Sequence, residues 1–227
     1  MIISHTHRAI FVHIPKTAGT SITALIEPEL RWNDLVLGGT TFGERIQPAY
    51  QERFGLSKHM RARDIRRVVG EELWAAYFSF AIVRHPYSRL VSFYNWKRGA
   101  VARAAAESPL WSWPATQAYQ ETGSFSDFIR HEKFLTSRAG QPQADWVCDD
   151  DGRCIVDFVG RFEELPAALG TIAQRLGLPR GDLGVHNPSA SDRPLADLFQ
   201  GDEDYRFVHD FYRRDFDLFG YDPALRL

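Results

Sequence analysis

Between Arg8 and Ser21 the chain runs RAIFVHIPKTAGTS, and this stretch constrains the fold more than any other. Ala9–Ile14 is short, apolar and rich in β-branched residues, which predicts a strand buried on both faces of a parallel sheet. Pro15 stops it, because proline has no N–H to give to a ladder and fixes its own φ. Lys16-Thr17-Ala18-Gly19-Thr20-Ser21 then offers one cation, three hydroxyls and a glycine before a helix-compatible segment, Ile22–Ile26. A strand, a tight polar turn and a helix start bring backbone N–H groups and the positive end of a helix dipole to one point, where an anion is stabilised. Gly19 would let the backbone come close to that anion. A Walker A loop has its lysine directly after the last glycine, whereas Lys16 stands three residues before Gly19.

The pattern recurs once. Tyr77–Val83 predicts a second buried strand, Arg84-His85-Pro86 ends it, and Tyr87–Arg98 has helical spacing at Leu90, Val91 and Tyr94. Arg84 stands at the carboxyl end of its strand, where α/β sheets bind ligands. Ser92 follows eight residues later, about two helical turns on. A helix running back beside its strand would let both side chains reach one phosphate.

The I-P-K-T-A-G-T-S run resembles the 5′-phosphosulfate loop of sulfotransferases, in particular the family that includes heparan sulfate 2-O-, chondroitin and bacterial sulfotransferases. R-H-P-Y-S-R-L-V-S-F-Y resembles their 3′-phosphate motif. The resemblance implies a three-layer α/β, P-loop-like fold with a central parallel sheet flanked by helices. It also implies a donor, 3′-phosphoadenosine 5′-phosphosulfate (PAPS), gripped by Lys16, Thr17, Ala18, Gly19, Thr20 and Ser21 at its phosphosulfate end. Arg84 and Ser92 would hold its 3′-phosphate, with Arg89 as a supporting charge. The acceptor implied is a hydroxyl on a small molecule or glycan.

Lys16 is the residue to neutralise charge on the leaving group, and the sulfuryl group needs no metal. His59, 25 residues before Arg84, lies close to where 2-O-sulfotransferases carry a catalytic histidine. It is the candidate general base, with an ordinary pKa near 6.5. His13, on the first strand, His85, beside Arg84, and Glu163 are the other candidates. A small-molecule kinase and a non-catalytic nucleotide- or carbohydrate-binding protein are the alternatives. The first is disfavoured by the missing Walker glycine and the lack of an evident Mg²⁺-binding pair.

Composition sets the remaining bounds. A chain of 227 residues fits one sulfotransferase domain, with a substrate-side insertion at 97–130. A net charge of −2 gives no electrostatic case for nucleic acid. No stretch approaches the ~20 apolar residues of a membrane span, and a core strand so near the start leaves no room for a signal segment, so a cytoplasmic enzyme is expected. Arginine outnumbers lysine, 23 to 4, which suits a protein that handles tetrahedral oxyanions.

Residues 31–57 show no sustained period and read as a connecting excursion, while Arg61–Tyr77 has helical spacing. Trp111, Trp113 and Tyr119 lie among prolines, available either to stack on a sugar or to pin a loop to the core. Ala144–Cys148 and Ile155–Phe158 predict two strands joined by the Asp149-Asp150-Asp151-Gly152-Arg153 turn, with Cys148 and Cys154 facing each other as reduced thiols. The aspartates lack the alternating ligands of an EF-hand loop. Pro166–Leu176 and Asp202–Phe219 predict amphipathic helices, and Gly181–Pro194 a polar linker.

Overall fold

The computed structural model describes residues 1–178 and 198–225, so the predicted linker lies outside the described residues. They form an α/β protein in two compact units: one holds Met1–Arg84 and the segment beginning at Gln143, the other His85–Pro142 and the C-terminal segment.

The first unit is built on a five-stranded sheet. β1 (Ile2–Ser4) and β2 (Ala9–Val12) are joined by a turn too short for a crossover, so they pair antiparallel. From β2 the chain passes through the polar loop into α1 (Gly19–Ile26), then β3 (Leu35–Val36), α2 (Thr41–Phe54), α3 (Ala62–Val69), α4 (Glu71–Ala76) and β4 (Phe78–Val83). The sheet order is β3-β1-β2-β4-β5, where β5 is Phe158–Arg161. Only β2, β4 and β5 run parallel, while β1 is antiparallel to both its neighbours. The expected parallel sheet is therefore a mixed one. Three-residue β1 was too short to show in the sequence.

β2 and β4 are buried almost throughout, as predicted for strands covered on both faces. One face packs Phe11, Phe80 and Ile82 against Ile22 and Ile26 of α1 and against Leu169 and Ile172 of the helix Leu165–Leu176. That helix has Pro166 in its first turn and ends on Gly177 at φ 65, the expected cap pattern.

Three further expectations for the first unit need correction. Residues 41–54 form a helix, capped by Thr40 Oγ1, which accepts from Gly43 N–H at 2.9 Å, and by Gly55 at φ 69. Its only buried residue is Gly43, so no apolar stripe marks it. The helical pattern over 61–77 is two helices, divided at Gly70 with φ 86. Ala144–Cys148 is not a strand: Ala144–Val147 is one turn of helix, and Cys148 and Cys154 form an isolated antiparallel bridge.

The second unit is helical. It contains α5 (Pro86–Arg103), α6 (Pro114–Glu121), α7 (Phe125–Arg130) and α8 (Glu132–Leu135), then α11 (Asp202–Phe211) and α12 (Arg213–Phe219), while α9 (Ala144–Val147) and α10 (Leu165–Leu176) belong to the first unit. The expected single C-terminal helix is broken at Tyr212, whose buried hydroxyl donates to the Gly140 carbonyl at 2.6 Å. The aromatic residues near 111–119 have partners within this unit. Tyr119 packs on Tyr94 and Phe128, the Trp111 indole donates to the Ala105 carbonyl, and Trp113 lies over buried Lys97.

Gly160 shows how closely β5 and α10 meet. A Cβ there would come within 2.7 Å of the Ala168 Cβ and 2.8 Å of the Ile82 Cδ1. Gly160→Ala is expected to cost about 1–3 kcal/mol through overpacking, seen as a lower urea midpoint for the variant.

Candidate functional site

The polar loop departs from ordinary backbone geometry. Lys16 and Ala18 both have positive φ, 68° and 73°, which costs a residue with a Cβ on the order of 1–3 kcal/mol. Burial of Ile22 and Ile26 along α1 offsets this at roughly 1.5–3 kcal/mol each. Ala18 is the N-cap of α1 and makes no side-chain cap hydrogen bond. The loop therefore brings the positive end of α1 to the carboxyl edge of β2 without a capping carboxylate of its own.

The predicted loop residues divide by position. The Thr17 hydroxyl is buried and donates to the Ile14 carbonyl at 3.0 Å, closing the turn. Ser21 is buried and Thr20 exposed on the first turn of α1. Gly19 is needed for a neighbour: a Cβ there would fall 1.7 Å from His13 Nε2. The close approach that requires glycine is thus to the His13 imidazole.

Lys16 is half-buried, and burial followed by the charge of Arg84 lowers its pKa to about 8. The two cations that the sequence assigns to opposite ends of one ligand are therefore electrostatic neighbours. Arg84 is fixed in two ways. Its guanidinium lies over the Phe162 ring at 4.1 Å. Its backbone N–H donates to Gln143 Oε1 at 2.8 Å, while Gln143 Nε2 donates back to the Arg84 carbonyl at 2.7 Å. Gln143 is fully buried, so its amide continues the β4 ladder by one side-chain rung. Sequence reasoning assigned Gln143 no such role, since the backbone groups it serves lie far away along the chain.

His59 belongs to the same unit. Its Nδ1 donates to the His13 carbonyl at 2.8 Å, which leaves the lone pair on Nε2. Its ring stands 4.6 Å from that of His13 and 6.2 Å, edge to face, from Trp146. Burial lowers the His59 pKa to about 3, well below the ordinary value expected from sequence. His13 is also held well below 6.5, by burial and then by His59. Both imidazoles are neutral at physiological pH. The buried Trp146 indole N–H meets no acceptor among the described residues.

The other candidates separate clearly. His85 is buried in an aromatic cluster with Tyr87, Phe216 and Tyr221, and its Nε2 donates to the Asp222 carbonyl at 3.2 Å. Arg89 is buried and donates to the Ala139 and Gln141 carbonyls at 2.8 and 3.1 Å, so it holds its own unit together. Glu163 is exposed, just beyond β5. Ser92 lies on α5 in the second unit, 5% exposed, and its Oγ has no partner among the described residues. Both amide atoms of Asn95, one turn further along α5, are likewise buried and unsatisfied. Unsatisfied buried polar atoms are rare and point to a bound group or water. Asn95 carried no signal in the sequence. No cluster of three or more His, Cys, Asp or Glu side chains suited to a metal occurs among the described residues.

Gln143→Met keeps the side-chain length but leaves the Arg84 N–H and C=O without their buried partner. Each lost bond is expected to cost about 1–3 kcal/mol, read as a lower melting temperature. Gln143→Glu keeps only the acceptor for the Arg84 N–H and places a carboxylate against the Arg84 carbonyl, so it is expected not to restore stability.

A family model described as "Sulfotransferase family" matches residues 1–222. No curated protein and no solved structure matches the chain.

Proposed function

The chain belongs to the sulfotransferase family, and from that premise we propose that it is a cytoplasmic enzyme that moves a sulfuryl group from PAPS to a hydroxyl of a carbohydrate or related polar acceptor. The observation that carries this reading is that β2 and β4 are parallel neighbours, so the Lys16 loop and Arg84 leave the sheet at the same carboxyl edge, where α1 begins. Two cations at one sheet edge suit a polyanion, and a donor with phosphates at both ends supplies that charge.

The loop and the two motifs support this reading. In it the phosphosulfate end meets the loop Lys16–Ser21, while Arg84 and the Ser92 hydroxyl, which has no partner among the described residues, serve the 3′-phosphate. The Lys16 ammonium neutralises charge on the bridging oxygen as the S–O bond breaks, an interaction worth most in the transition state. His59, with its Nδ1–H committed to the His13 carbonyl, presents Nε2 to take the proton from the acceptor hydroxyl. The proton moves from hydroxyl oxygen to Nε2, and the sulfuryl group moves to that oxygen.

Nucleotide choice tests the donor. Adenosine 3′,5′-bisphosphate should bind much more tightly than AMP or ATP, and Arg84→Ala should remove most of that preference, a loss of about 1.5–3 kcal/mol for a charge-assisted contact. Magnesium-ATP binding as tightly in calorimetry would turn the reading toward a kinase.

The pH profile tests the roles. The pH dependence of kcat/KM reports the groups of the free enzyme. Lys16 is charged below its pKa of about 8, so kcat/KM should fall as pH rises through that value. His59 is neutral above about 3, so no acid limb from it is expected between pH 5 and 8. Lys16→Ala should lower kcat more than it weakens nucleotide binding, while His59→Ala should cost about 10²–10⁴-fold in kcat with nucleotide affinity kept. An acid limb near 6.5 that vanishes in His59→Ala would show that the imidazole is not held neutral by burial.

A further inference from the structure

Cys148 and Cys154 play no part in the chemistry above, yet the backbone places them with care. They are partners in an antiparallel bridge. The flanking hydrogen bonds are Ile155 N–H to the Val147 carbonyl and Asp149 N–H to the Arg153 carbonyl, both 2.9 Å. The cysteines therefore occupy a non-hydrogen-bonded position, where opposed Cα atoms lie about 4.5 Å apart with both side chains on one face. Disulfides need a Cα separation of about 4.4–6.8 Å.

The hairpin that sets this register is firmly held. Asp149 Oδ1 accepts from the N–H groups of Asp151 and Arg153 at 3.1 and 2.8 Å, and Gly152 supplies the positive φ of 81°. Asp150 pairs with Arg63 and Arg67 of α3 at 2.9 and 2.7 Å. The thiols differ in access: Cys154 is exposed and Cys148 buried, and they are not disulfide-bonded to each other.

We propose that Cys148 and Cys154 form a thiol–disulfide exchange site that takes low-molecular-weight disulfides of the glutathione class, with Cys154 as the attacking thiol and Cys148 as the resolving one. This stands independently of the sulfuryl-transfer reading. Cys154 loses its proton to solvent, and its thiolate attacks one sulfur of the external disulfide. That S–S bond breaks, and one glutathione leaves as a thiolate that takes up a proton. Cys148 loses its proton and attacks the Cys154 sulfur of the mixed disulfide, forming the protein S–S bond and expelling the second glutathione as a thiol. Two protein thiols are oxidised and one external disulfide is reduced.

Incubation of the native protein with oxidised glutathione, followed by acid quenching and intact-mass measurement, tests this. The expected product has lost two hydrogen masses and carries no glutathione. Cys148→Ser should accumulate one glutathione on Cys154, and Cys154→Ser should remain unmodified while folded. The equilibrium with reduced and oxidised glutathione should also lie further toward the disulfide in the native protein than in the urea-unfolded chain, because only the fold holds the two sulfurs opposed. A wild-type protein that keeps a glutathione adduct would overturn the proposal. So would one with both thiols still alkylatable after denaturation, or an equilibrium no more favourable folded than unfolded.

Discussion

The contact between Gly19 and His13 governs most of what surrounds it. Only a residue without a Cβ lets α1 begin where it does, because the His13 ring fills the space beneath. That ring stacks on Phe11 at 5.2 Å, which ties it to the sheet core. The His13 carbonyl meanwhile accepts from His59 Nδ1 and so selects the His59 tautomer. One residue at the end of β2 thus sets the floor of the anion loop, the start of the helix and the orientation of the candidate base. The sequence leaves His13 as a candidate base, but its burial and its position under the loop give it a supporting part.

A second constraint acts at the next parallel strand. β4 ends at Val83, and without a partner the backbone of Arg84 would lose its ladder. Gln143 supplies both a donor and an acceptor there, and Phe162 receives the guanidinium. Gln143 and Phe162 come from parts of the chain distant from Arg84. The segment after Gln143 also carries Trp146, whose ring faces His59, so a single turn of helix supports two features of the site.

Elements that bury a periodic apolar face were legible in the sequence: β2, β4, α5 and α10 fall close to their expected positions. Elements held by capping and polar contacts were not. α2 is exposed nearly all round and depends on Thr40 and Gly55 for its ends. β1 is visible only once its antiparallel partner is known. At the site, Lys16 and Arg84 could be found because charged residues after a buried strand are chemically conspicuous. The parts of Gln143, Trp146 and Asn95 could not: Gln143 matters through its bonds to the Arg84 backbone, and Trp146 and Asn95 through buried polar atoms without a partner among the described residues, features that only the fold creates. The lowered pKa of His59 was not legible for the same reason, because the sequence does not show that its ring is buried against His13.

The electrostatics around the loop are set by burial. It makes the Lys16 ammonium costly to keep charged, and the charge of Arg84 adds to that cost. His59 and His13 are kept neutral by their own burial. A polyanion at the loop would offset the cost to Lys16 by stabilising its ammonium. The strained backbone at Lys16 and Ala18 fixes where that ammonium is held.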